Sequence, residues 1–401
     1  MSQASRTALL VTALAALLVG CGGSSGTQPG GFTYESTLTV YSDLPLQGPQ
    51  GALMTSIDDG EILALAQAHA RGRDRNVSIA LLDDANARGW NERTAADAAR
   101  EAGQDLDAIA YIGDFDSGAT AVSLPVTNEN NILQVSPASP YSGLTQAGSD
   151  PTEPARYYPD GRRTFARLMP SDGDEAIAAT RFMRELGVRR LYTLSDGERF
   201  DGAIAQLVGR DAPADGITLA GSTLTGTPDV SARIAASHAG AVFVGAAPSP
   251  AVEALWREIH AALPALKLFA PSTLATTPFL RAIAPAAGAT YVTSPILPLS
   301  QYPPQAQTVL ADYRRLFASA PSAYTLYGYE AMASVLAAIE RAHASPSRRL
   351  NVVADYFALG ERHSVIGNYR IERSGDISLS RFDGYSVGTG GTLTRPRRLS
   401  G

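Results

Sequence analysis

Residues 36–82 read STLTVYSDLPLQGPQGALMTSIDDGEILALAQAHARGRDRNVSIALL, and this stretch decides the fold. Residues 36–41 (STLTVY) carry the β-branched and aromatic side chains of a strand. Residues 58–70 (DDGEILALAQAHA) place apolar side chains at helical spacing and predict an amphipathic helix. Residues 76–82 (NVSIALL) predict a second strand, which ends at Asp83-Asp84. Strand, long helix, strand is the order of a parallel pair joined by a helical crossover.

The alternation continues outward from there. A helix is expected over 91–102, a third strand over 108–112 (AIAYI) ending at Gly113, a helix over 119–128 and a fourth strand over 132–135. Residues 149–160 (SDPTEPARYYPD) hold three prolines and interrupt the pattern. It then restarts, with strands expected over 164–168, 190–194, 240–244, 266–269 and 289–292. Helices over 174–186, 200–208 and 249–262 alternate with them. Helices over 305–317 and 327–342 follow, and β-type runs surround Tyr369 and Phe382. The fold class is α/β, with two lobes of parallel sheet flanked by helices.

Net charge is −6 and no basic block occurs, so nucleic acid is not expected as a partner. Cys21 is the single cysteine, which excludes a disulfide within the chain and a zinc site of cysteine type. It follows Arg6 and the apolar run 8–19, the order of an export signal. Leu18-Val19-Gly20-Cys21 resembles the lipobox of bacterial lipoproteins. That resemblance implies a signal peptide over 1–20 and diacylation of Cys21. The Gly/Ser-rich residues after Cys21 then form a flexible tether, and 21–36 make up the lipidated cysteine and tether. A plain secretory peptide is the alternative. A membrane-spanning anchor is disfavoured, because the run falls short of the ~20 residues needed to span a bilayer.

From Thr37 to the C-terminus a series of motifs stands in a telling order. Leu46-Gln47-Gly48-Pro49-Gln50-Gly51 follows the first strand, and Asp83-Asp84 closes the second. Ile112-Gly113-Asp114-Phe115-Asp116-Ser117, Val135-Ser136-Pro137-Ala138-Ser139-Pro140 and Arg167-Leu168-Met169-Pro170-Ser171-Asp172 come next. Tyr327-Gly328-Tyr329-Glu330-Ala331, Ile366-Gly367 and Ser374-Gly375-Asp376 complete the series. The chain resembles the leucine/isoleucine/valine-binding proteins, the type I periplasmic solute-binding proteins of ABC importers. The resemblance implies two Rossmann-like lobes joined by a multi-strand hinge. Residues 37–158 plus 296–368 would form the N-terminal lobe, and 159–293 plus 374–398 the C-terminal lobe. It further implies that the lobes close on a small-molecule ligand, that an ABC permease reads the closed form, and that a lipid at Cys21 holds the receptor on the outer side of a bacterial membrane. A sensory or accessory lipoprotein of the same fold is the alternative.

By the same resemblance, Ser117 and Gly118 form the ligand turn, at a helix N-terminus whose unpaired N–H groups suit a carboxylate. Ser117 serves equally as a helix cap. Ala138 and Ser139 form the next ligand loop, but Pro140 stands where the family has threonine and removes two donors. On the second lobe the family tyrosine aligns near Ala246 and the family acid near Ser272. An ammonium there would lack its usual carboxylate, and Asp116 and Asp201 are the replacements considered. Tyr41, Tyr141, Phe200 and Tyr302 are expected to line the cleft or, alternatively, to pack the lobe faces.

Enzyme readings find little support. Gly384-Tyr385-Ser386-Val387-Gly388 matches a hydrolase pattern, but no histidine follows it, and a hydrolase remains a remote alternative. None of the five histidines, His69, His238, His260, His343 and His363, stands at metal-ligand spacing with another histidine or cysteine. Asp83-Asp84 is read as strand-end structure. No phosphate loop or dinucleotide fingerprint occurs. No catalytic residue, metal or cofactor is expected.

Overall fold

A computed structural model of the protein describes residues 37–48, 50–74, 76–87, 89–148, 150–342 and 348–399. The expected signal peptide, the lipidation site Cys21, the tether and His343 lie outside the described residues.

The first sheet holds β1 (Leu38–Leu44), β2 (Val77–Asp83), β5 (Ala108–Gly113), β6 (Leu133–Ser136) and β7 (Phe165–Arg167) in the order β2-β1-β5-β6-β7. Every pairing in it is parallel. A small hairpin of β3 (Ala85–Asn86) and β4 (Gly89–Trp90) follows β2. The inner strand β1 runs three residues beyond the expected end at Tyr41, because β2 and β5 hold it on both edges, with Leu44 opposite Asp83 and Asp43 opposite Gly113. The strand expected over 164–168 as the start of the second lobe pairs with β6 as β7, on the edge of this first sheet.

The second sheet runs β16-β15-β12-β11-β10-β8-β9. Its strands are β8 (Arg190–Ser195), β9 (Thr218–Leu224), β10 (Ala241–Gly245), β11 (Lys267–Ala270), β12 (Thr290–Ser294), β15 (Phe382–Val387) and β16 (Leu393–Leu399). β15 and β16 are antiparallel additions to an otherwise parallel sheet. A two-stranded ribbon of β13 (Arg362–Ser364) and β14 (Gly367–Tyr369) stands apart. Ala241-Val242-Phe243-Val244 is apolar throughout because both faces are covered. Val242 and Val244 enter one core with Trp256, while Ala241 and Phe243 enter another with Phe182 and Phe269.

The first sheet is flanked by α1 (Gly51–Ala70), α2 (Glu92–Gln104) and α3 (Ser117–Glu129). The second carries α4 (Asp172–Glu185), α5 (Ala203–Asp211), α6 (Val230–Ala236), α7 (Pro250–Ala262) and α8 (Thr277–Ala282). The chain then returns, and α9 (Pro304–Leu316), α10 (Ala323–Arg341) and α11 (Arg349–Phe357) complete the core of the first sheet, where Leu310, Leu326 and Val352 pack with Val40 and Ile112. α1 starts seven residues earlier than expected, because Met54 and Ile57 bury with Leu44. Three segments connect the lobes, at 168–171, 295–303 and 370–381. Among the described residues, no helix is long and apolar enough to cross a membrane.

Candidate functional site

In each sheet the chain reverses its direction of strand addition. β1 lies between β2 and β5, and β8 lies between β9 and β10. Such switch points leave a crevice beyond the carboxyl ends of the strands, which is where open α/β sheets bind ligands. The loops after β5 and β6 form one wall, and those after β8, β10 and β11 the other.

On the first wall α3 begins at Ser117, two residues earlier than expected, and Asp116 takes the N-cap position without a side-chain cap bond. Ser117 is not the cap. Its hydroxyl accepts the Tyr141 N–H at 3.2 Å and ties the two loops together. A Cβ on Gly118 would overlap the Trp90 indole, so glycine is what lets the β3–β4 hairpin close on the helix start. Ala138 is buried, and its N–H donates to Ser136 Oγ at 3.1 Å. Ser139 belongs to the floor rather than the surface of the loop. It is fully buried, and its hydroxyl bonds the Asp114 carbonyl at 2.9 Å and Thr120 Oγ1 at 2.6 Å.

The expected aromatic lining divides. Tyr141 and Phe200 meet edge to face across the two walls, with ring centres 5.2 Å apart. The Tyr141 hydroxyl donates to Glu153 at 2.8 Å, and Arg199 from the second wall reaches Asp150 at 3.0 Å and Glu153 at 3.2 Å. Tyr141, Ser195 and Arg199 border a cavity of about 290 Å³. Tyr41 and Tyr302 are buried and take the packing alternative. The Tyr41 ring joins Tyr111 and Ile132 in a core beneath α2, with its hydroxyl on Asp105 at 3.0 Å. Tyr302 packs against Tyr327 beside the second crossing. Ala246 is likewise fully buried in the core of its sheet.

Ser272 itself is no acid, but a carboxylate from α4 reaches it. Glu175, on the first turn of α4, accepts the Ser272 N–H and the Ser272 hydroxyl, each at 2.6 Å, and the Thr293 hydroxyl at 2.8 Å. Burial outweighs these donors and pushes its carboxyl up to about 7. Asp172, at the start of the same helix, is raised well above the usual range by burial and then by Glu175. Asp201 is pushed up to about 6 by burial, with Asp196 and Glu198 adding to it. On the opposite wall half-buried Asp116 is pushed up to about 7, first by burial and then by the charges of Asp201 and Asp114. Burial also raises the Tyr324 phenol, and Tyr302, Glu175 and Asp116 add to it by their charges. Asp116 and Asp201 were considered from sequence, whereas Asp172, Glu175 and Tyr324 were not. The signal available for Glu175 was the capping box Ser171-x-x-Asp174, which fixes the start of α4 at the crossing.

The hydrolase pattern at 384–388 runs through strand β15, where Ser386 pairs with Tyr291 and Thr394, and no strand-to-helix turn presents it.

Solved structures share this architecture. The leucine-binding protein LivK from Thermotoga maritima is 19% identical with a TM-score of 0.73, covering 90% of this chain and 98% of its own. An ABC transporter substrate-binding protein from Desulfitobacterium hafniense in complex with Leu is 18% identical with a TM-score of 0.73, covering 90% and 99%. An ABC transporter solute-binding protein from R. palustris in complex with benzoate is 17% identical with a TM-score of 0.69, covering 91% and 96%. No curated protein matches the chain in sequence. These neighbours share the two-lobed fold of type I periplasmic binding proteins. The periplasmic binding protein family matches residues 44–359, most of the chain, and it is to this family that the chain belongs.

Proposed function

We propose that the protein is an extracytoplasmic solute receptor, held to a bacterial membrane by lipid on Cys21, that closes its lobes on a small molecule bearing a protonated amine and delivers it to an ABC permease. One observation carries the choice of ligand. The charge of Asp201 on the second wall acts on Asp116 on the first and on Asp172, which Glu175 also acts on, so acids from both walls press on one another. Like charges brought together by closure repel, and a cation between them converts that repulsion into attraction. The empty receptor therefore resists closing and the loaded one does not, which is what a transporter must distinguish. The uncapped start of α3 at Ser117 and Gly118 supplies N–H groups for a carboxylate on the same ligand. Leucine, bound by the Desulfitobacterium neighbour, carries both groups, and benzoate, bound by the R. palustris one, carries only the carboxylate. The acids of this cleft favour the first pattern.

A thermal-shift screen tests the reading. The described residues form one compact unit, so the chain from Thr33 onward is the material. Amino acids, amines, amides, nucleobases and simple organic acids are compared. A ligand at about 1,000 times its Kd adds roughly 4 kcal/mol to the native state. Hits among compounds with a protonated amine are expected. Hits confined to acids lacking an amine would overturn the assignment.

A further inference from the structure

Three carboxylates meet beneath the switch point of the first sheet. Asp43 lies near the end of β1, Asp84 directly follows β2 and Asp114 directly follows β5, and β1 stands between the other two strands. One oxygen from each lies within 4.8 Å of the other two. All three residues are 0% exposed. Asp114 is well satisfied: Ser123 and the Gln134 amide donate to Oδ2, and the Tyr111 hydroxyl reaches Oδ1 at 3.3 Å. Asp43 receives the Tyr111 hydroxyl on Oδ2 at 2.6 Å, but its Oδ1 has no partner. Asp84 has no hydrogen-bond partner on either oxygen.

Buried carboxylates are ordinarily paired, hydrogen-bonded or bound to a metal. The charges that act on Asp43 come from Asp114, Asp83 and Asp58, and those that act on Asp84 from Asp114, Asp43, Asp116 and Asp83. All are acidic. Among the described residues no ion pair involves any of the three. We propose that Asp43, Asp84 and Asp114 hold one hard divalent cation of the calcium class. The donor set is oxygen only, which excludes the preference of zinc and the softer metals. Three carboxylates at a site closed to solvent favour calcium, which takes about six to eight oxygen ligands, over magnesium, which usually keeps several waters and binds through one or two carboxylates. Bound there, the ion ties together the ends of three adjacent strands and anchors the loop from Asp114 to Ser117. This site stands independently of the ligand assigned to the cleft.

Terbium substitution tests it on the purified chain after chelation. The Tyr111 ring carries a hydroxyl in contact with two of the three carboxylates, so a terbium ion at the site is positioned for tyrosine-sensitised emission. The expected result is saturable emission at one equivalent, displaced by calcium more readily than by magnesium, with a melting temperature that rises with added calcium. Asp84→Asn should abolish the emission and, in chelator, should melt no lower than the parent chain, since it removes an unpaired buried charge. Asp43→Asn is the second variant should the first misfold. Absence of saturable emission in the parent chain, emission retained in both variants, or identical melting in calcium and chelator would each overturn the site and leave a cluster neutralised by protons.

Discussion

The carboxylate of Glu175 accepts both the N–H and the hydroxyl of Ser272, each at 2.6 Å. Glu175 opens the second lobe on α4, and Ser272 follows β11 in the middle of the second sheet. The pair puts an acid at the wall position where the order of motifs offered only a serine. Its charge also acts on Tyr324, on the first turn of α10.

Glu175 makes stability depend on pH in a defined direction. Burial pushes its carboxyl up to about 7 in the native chain, against the ordinary 4.5. Between those values the native state keeps a proton that the unfolded state has lost, so stability is full below about pH 4.5 and falls as pH rises toward 7. The shift corresponds to roughly 3 kcal/mol. Asp201 contributes with the same sign between 3.8 and about 6. Urea denaturation at intervals from pH 4.5 to 8 should show this decline, and Glu175→Gln should flatten its upper half. An unchanged slope in the variant would mean that Glu175 stays ionised in the folded chain.

Asp116 and Asp201 should act on binding more than on folding. A charge-assisted hydrogen bond contributes about 1.5–3 kcal/mol, or roughly ten- to a hundredfold in Kd. Asp116→Asn and Asp201→Asn should each weaken an amine ligand by that factor, measured by calorimetry, while leaving the melting temperature of the empty receptor the same or higher. Equal affinity in both variants would remove the ammonium from this part of the cleft.

How much of this was legible follows from where each signal resides. The alternation of short apolar runs and helical periods made the two sheets readable, because buried parallel strands such as Ala241–Gly245 are apolar on both faces. β9 escaped notice because it is an edge strand of small and polar residues, TLAGSTL, largely open to solvent. Within the candidate site, the order of motifs points to the loops of Ser117 and Ala138. It could not reveal Glu175, which reaches Ser272 across 97 residues of sequence. Nor could it show that Asp43, Asp84 and Asp114 converge, since that follows from strand order and not from spacing. For Tyr41 and Tyr302 the sequence leaves cleft lining and packing both open, because a ring near a strand end or crossing has a core side and a cleft side, and both rings are buried.

Arg167 should prove essential to the hinge. It is fully buried at the end of β7, just before the first crossing, and pairs with Asp376 in the third at 2.8 Å. Its guanidinium also donates to the Ser139 and Tyr141 carbonyls, both at 2.8 Å. Removing one partner of a buried pair strands the other charge and costs about 3–5 kcal/mol. Arg167→Met should lose that much in chemical denaturation. Arg167→Met with Asp376→Leu should recover part of it, since no charge is left unpaired. A double variant no better than the single would assign the loss to the carbonyl contacts.

Gly328 tests the packing that brings the returning helices onto the first sheet. A Cβ there would overlap the carbonyl of Ile57 on α1, and a Cβ on Gly60 would overlap the carbonyl of Thr325 on α10. The two helices thus cross backbone to backbone, and both contacts fall on main chain that cannot swing aside. Alanine is favoured over glycine by about 1 kcal/mol in a helix interior. Forcing the helices apart costs typically 1–3 kcal/mol or more, since buried neighbours must shift together. The clash should win, so Gly328→Ala is expected to lower stability despite its better helix propensity, and Gly60→Ala likewise. Gly240→Ala is the comparison, because its Cβ would meet only the Arg190 carbonyl at 3.9 Å. It should change stability by less than about 0.5 kcal/mol. If Gly328→Ala instead stabilised the chain, α1 and α10 would have to be free to slide, and the first lobe would be softer than its contacts indicate.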